Sequence, residues 1–233
     1  MKLTGRQKIT IVALALYWAA LVYVSHIPIP QVVYKAQVSD KWLHFLEYLN
    51  LIFLLWYSVR PDGKANWRAA TVWVIFLISC VYGGIEELTQ PYFGRQKDFM
   101  DFLANVAGSF TGMILFTFMT FWPSLLAVLA ITILGVTNLA KADLSKLVPI
   151  SDAAFHFFGY GLFALVWYRV MKQYFAYKSV VAPFGVSFCF LIIVKAGSLL
   201  LGRHFALTDF LYGVLGIIAA LVVQHIYYLR KGV

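Results

Sequence analysis

The sequence predicts an all-α, polytopic membrane bundle of about eight spans. Apolar runs of about 18 or more residues recur along the chain, the length a helix needs to cross a bilayer. Only 12% of the 233 residues are charged, 62% are hydrophobic, and the mean hydropathy is +0.79. Lys and Arg outnumber Asp and Glu by 19 to 10, and most of them fall in the short connections between the apolar runs. That placement sets orientation in a membrane and is not a nucleic-acid signature.

Taken in order, the spans are expected at roughly 9–27, 42–59, 68–89, 101–121, 124–139, 153–171, 180–200 and 208–229. The first follows Lys2, Arg6 and Lys8 like a signal peptide, but it has no small-residue cleavage pattern and is read as an uncleaved span. The fifth is short, so residues 101–139 are either two spans or one span with a re-entrant segment. With both termini inside, 11 basic residues lie on the cytoplasmic side and 8 on the other. The bias predicts N and C termini in the cytoplasm and places the connection between spans 3 and 4 outside. Cys80 and Cys189 fall within apolar runs and are expected to be small buried hydrophobes, not a disulfide.

An internal repeat accounts for the even number of spans. Asp40, His44 and Tyr48 return as Asp152, His156 and Tyr160, 112 residues later. Gly94, Arg95, Asp101 and Gly108 return as Gly202, Arg203, Asp209 and Gly216, 108 residues later. The expected organisation is two parallel four-helix units, residues 1–122 and 123–233, the second a diverged copy. Divergence removes acids: Glu47 becomes Gly159, Glu87 becomes Lys195, Gln90 becomes Ser198, Asp98 becomes Ala206 and Asn105 becomes Gly213. Lys195 should pair with Glu86, Glu87 or Asp209, because an isolated ammonium there is costly.

The polar residues concentrate between Ile85 and Asn105 and at the start of span 2. Lys41, His44, Glu47 and Tyr48 share one helical face. His44-x-x-Glu47 offers two metal ligands, an imidazole oriented for proton transfer, or a purely structural pair; no metal or cofactor is assigned. On span 3, Glu87 and Gln90 share a face, while Glu86 points about 100° away and is given a separate purpose. Arg95 suits bidentate capture of a phosphate or carboxylate, or else neutralises neighbouring acids. On span 4, Asp98, Asp101, Asn105, Gly108 and Gly112 form a stripe, polar above and close-packing below. Asp101 is also a candidate helix cap. The second copy contributes His156, Lys195, Arg203 and Asp209.

No Walker loop, Rossmann glycine run, HExxH pair, GxSxG elbow or CxxC pair is present. The residues Lys41, His44, Phe45, Tyr48, Gly83, Glu87, Gln90, Arg95, Asp98, Asp101, Asn105, Gly108 and Gly112, in that order and spacing, resemble the VanZ-like family of integral membrane proteins. The likeness covers roughly residues 10 to 121. It implies a cell-envelope role beside the accessory glycopeptide-resistance proteins for which that family is named, without implying antibiotic resistance itself. Three functions follow. The first is an outer-face site that binds the head of an anionic lipid or lipid-linked wall precursor. In it Arg95, with Lys41 or Lys97, holds the negative group, and His44, Glu87, Gln90 and Asn105 bond to sugar or peptide polar atoms, with Tyr48 and Asp98 beside them. The second is a membrane-embedded hydrolase or transferase in which Glu87 or Asp101 serves as base and His44 as acid. The third is a lipid transporter or a structural assembly protein.

Overall fold

The computed structural model describes residues 3–27, 39–139, 152–175, 180–200 and 206–231. Eight long helices run in order through them: α1 Gly5–His26, α2 Asp40–Val59, α3 Ala70–Thr89, α4 Phe99–Phe118, α5 Phe121–Leu139, α6 Asp152–Phe175, α7 Val181–Leu200 and α8 Leu207–Lys231. The stretch 101–139 is two helices joined by Met119 and Thr120. Five of the eight are long and apolar enough to cross a membrane, and α5 and α7 carry shorter apolar stretches. The protein is a multi-pass membrane helix bundle. Its outer surface agrees: on α3, Trp73, Val74, Leu77, Ile78, Val81, Ile85 and Leu88 are all exposed. Such a contiguous apolar stripe is stable against lipid and would be a liability in water.

Local chemistry sets the helix ends. Thr4 and Gln7 form a reciprocal capping box at the start of α1, which satisfies two otherwise unpaired amides. Pro91, which has no amide hydrogen, stands just past the end of α3. A single 3-10 turn, Gln90–Phe93, follows, and the chain reverses at Gly94, whose φ of 78° favours a residue without Cβ. Asp98 caps α4 by accepting a hydrogen bond from the Met100 amide at 2.8 Å. The cap expected at Asp101 is thus one turn earlier, and Asp101 is left free to point inward.

The described residues form two compact units, which divide between Val128 and Leu129. In the first, α2 packs on α4 with α1 and α3 alongside. The contact between α2 and α4 needs glycine: a Cβ on Gly108 would fall onto the Phe45 carbonyl oxygen, and one on Gly112 onto the Ile52 side chain. The end of the unit that carries the N-terminus of α1 is tied by an Arg6–Asp62 ion pair and by Tyr57, whose hydroxyl lies 2.8 Å from Ser124 Oγ. In the second unit α6 packs on α8 around Tyr160, Ala164, Tyr168, Leu191, Ile217 and Leu221. There a Cβ on Gly216 would fall onto the Phe157 carbonyl oxygen. Cys189 is exposed, contrary to the burial its apolar run suggested, and Cys80 is partly covered.

Candidate functional site

The polar residues of the first unit meet at one end of it, where α2 and α4 begin and α3 ends. His44, one turn into α2, is buried to 1% exposure. Its two ring nitrogens face different neighbours. Nδ1 lies 3.1 Å from Asn105 Oδ1, 3.7 Å from Glu86 Oε1 and 3.9 Å from Glu87 Oε1. Nε2 lies 3.8 Å from Asp101 Oδ2. The expected residues His44, Glu87, Asp101 and Asn105 therefore come together from three helices.

Outer partners hold each acid in place. Tyr48, fully buried, donates its hydroxyl to Glu86 Oε2 at 2.7 Å. The Asp98 amide donates to Glu87 Oε2 at 3.2 Å. In both glutamates the second oxygen, Oε1, is buried with no hydrogen-bond partner among the described residues. The same holds for both side-chain atoms of Gln90 and for Asn105 Nδ2. Buried polar atoms left unpaired are uncommon and costly, by about 1–3 kcal/mol each.

The spacing of inward residues on α3 places Glu86 in the cluster, not on a separate face. The inward residues of that helix are Val72, Ile75, Ser79, Gly83, Glu86, Glu87 and Gln90. Ser79, Gly83, Glu86 and Gln90 follow one another by four, three and four residues, the period of a single helical face. Asp40, also not singled out by its sequence context, is the other addition.

Towards the surface the cluster opens into a cavity of about 420 Å³ lined by Asp40, Lys41, Gly94, Arg95, Gln96, Asp98 and Asp101. Lys41 donates to Asp98 at 2.7 Å and to Asp101 at 3.2 Å. Its ammonium, followed by the Met100 amide, holds the Asp98 carboxyl below the usual carboxylate range. Arg95 contacts both oxygens of Asp40, at 3.1 and 3.3 Å, and donates to the Ser25 carbonyl at 3.1 Å. The neutralising role for Arg95 is therefore the one its geometry fills. Two cations face three carboxylates in this lining, a balance that does not favour capture of an anion.

In the second unit Lys195 Nζ lies 3.3 Å from His156 Nε2 and 3.4 Å from Asp209 Oδ2. Of the three acids offered by the sequence, Asp209 is its partner. His156 Nε2 itself faces Asp209 Oδ2 at 3.3 Å. Arg203 lies outside the described residues.

Fold and site together define the class: a membrane-embedded helix bundle with a buried His, Asp and Glu cluster. Comparison with protein-family models, with curated proteins and with solved structures finds no match.

Proposed function

We propose that the first unit is a membrane-embedded hydrolase or transferase that acts on the polar head of a membrane lipid through His44 and its carboxylates. One observation carries this reading: a buried imidazole has three carboxylates within 4 Å, and one of them, Asp101, also lines an open cavity. Asp101 has one oxygen on Lys41 and the other facing His44 Nε2, so it touches both the cavity and the buried interior. In the proposed reaction Asp101 takes the proton of an incoming water or hydroxyl, whose oxygen joins the headgroup centre. His44 delivers a proton to the departing oxygen and regains one from Asp101, so both groups return to their starting charge. Lys41 and Arg95 neutralise the carboxylates that line the cavity around the reacting centre.

The reading is tested by reconstituting the purified chain in nanodiscs of bacterial polar lipid and following lipid species by mass spectrometry. Turnover that disappears in His44→Ala and Asp101→Asn, with unchanged unfolding temperatures, supports it; turnover equal in all three chains rejects it. Binding without chemistry is the second reading, supported by the open cavity beside Asp101 and by the VanZ-like spacing. On that reading the ligand is an anionic lipid or lipid-linked wall precursor, and the site lies on the outer face of a bacterial cytoplasmic membrane.

The two units are also proposed to be copies of one four-helix repeat. The Gly108–Phe45 and Gly216–Phe157 approaches support this, since each sets a glycine against the carbonyl one residue after the shared histidine. So do the matching His44–Asp101 and His156–Asp209 pairs.

A further inference from the structure

We propose that His44, Glu47 and Glu86 form a binding site for a divalent transition-metal cation. One nitrogen and one oxygen from each carboxylate lie within 4.8 Å of one another. Ligand atoms about 2.0–2.2 Å from a tetrahedral zinc stand about 3.4 Å apart, so the set contracts onto an ion by small rotations. The 3.7 Å between His44 Nδ1 and Glu86 Oε1 is too long for a hydrogen bond and close to a ligand-to-ligand separation. Two carboxylates and a neutral imidazole balance a charge of +2 and match the donor preference of zinc or manganese.

The supports around the ligands have the form that metal sites require. Glu86 has one oxygen fixed by Tyr48, and the other is buried, without a hydrogen-bond partner among the described residues and aimed at His44 Nδ1. Behind the imidazole, Asp101 Oδ2 lies 3.8 Å from Nε2, beyond hydrogen-bond distance but on the side from which a carboxylate orients a ligating ring. Beside them the Gln90 amide, fully buried, also has no partner among the described residues.

The second unit supplies an independent comparison. It retains the His, the Asp behind it and the Tyr, as His156, Asp209 and Tyr160. Both carboxylate ligands are replaced, Glu47 by Gly159 and Glu86 by Val194, while Lys195 stands in place of Glu87. Its ammonium contacts His156 and Asp209. Where the chain carries its own cation the carboxylate ligands are gone; where they are kept, no lysine stands in place of Glu87.

This inference does not depend on headgroup chemistry, so metal content and lipid turnover are scored separately. Chelator-treated full-length protein is dialysed against Zn²⁺ or Mn²⁺ and its metal measured by plasma mass spectrometry. About one ion per folded chain is expected, falling at least tenfold in Glu47→Gln/Glu86→Gln and unchanged in Lys195→Met. Wild type that takes up neither ion, or uptake unaffected by the double substitution, overturns the site. Zinc-edge absorption of the loaded wild type needs no variant: a shell of oxygen with one imidazole is expected, and a shell containing sulfur, or one without imidazole, overturns it.

Discussion

The Tyr48 hydroxyl donates to Glu86 Oε2 at 2.7 Å, between two side chains that are each at most 1% exposed. It sets the carboxylate so that its other oxygen faces His44. Removing the donor leaves a buried oxygen without its hydrogen bond, at a cost of about 1–3 kcal/mol. Tyr48→Phe is therefore expected to lower the unfolding temperature in detergent while the helical circular dichroism is unchanged. An unfolding temperature equal to wild type would show that the bond carries no stability.

Close approach of α2 and α4 makes a second prediction. Replacing helical Gly by Ala ordinarily stabilises by about 1 kcal/mol, but at Gly108 the added carbon meets the Phe45 carbonyl. Backbone cannot move aside as a side chain does, so Gly108→Ala should destabilise by about 1–3 kcal/mol. Gly84 is the control, since a Cβ there meets only the Phe102 ring edge at an ordinary 3.8 Å. Thermal unfolding of the two variants should move in opposite directions.

Lys195 and Asp209 form a largely buried pair with side-chain exposures of 10% and 17%. Lys195→Met strands the Asp209 charge beside His156 and should cost about 3 kcal/mol, the low end for breaking a buried pair. Lys195→Met/Asp209→Asn, which removes both charges, should recover most of that loss. Chemical unfolding of the single and double variants measures the difference; equal losses in both would remove the ion pair as its cause.

At the cavity mouth Asp98 supplies a pH test. Its carboxyl titrates below the usual range, first because of Lys41 and then because of the Met100 amide. A depressed value means that its contribution is present above the unfolded carboxylate value of about 3.9 and is lost as pH falls through the lower folded value. From pH 5 to 8 this contribution should be constant. Carbon NMR of labelled Asp98 should give a midpoint below that of an unfolded aspartate in wild type and closer to it in Lys41→Met.

Much of the architecture is legible in the sequence because the bilayer imposes it. Apolar runs predicted all eight helices to within a few residues, and the cap at Asp98 displaced only one expected role, that of Asp101. The site was legible where the argument rested on residue type and order, as for His44, Glu87, Asp101 and Asn105. It was not legible for Glu86, because adjacent residues on a helix differ by 100° and only the neighbours decide whether one face or two are buried. Arg95 was equally open: its sequence context allowed a free anion clamp, whereas the fold sets it against Asp40 and the Ser25 carbonyl.

Taken alone, the sequence determined that this protein is a helical membrane bundle, since backbone amides in hydrocarbon must be satisfied within each span. It also determined which polar residues stand near span ends. Only the tertiary structure decided that four of them surround one imidazole, which charges cancel at the cavity mouth, and which carboxylate oxygens are left facing inward. Those outcomes depend on distances of a few ångströms between residues up to 61 positions apart, and such distances are set by how helices pack, not by the order of residues along them.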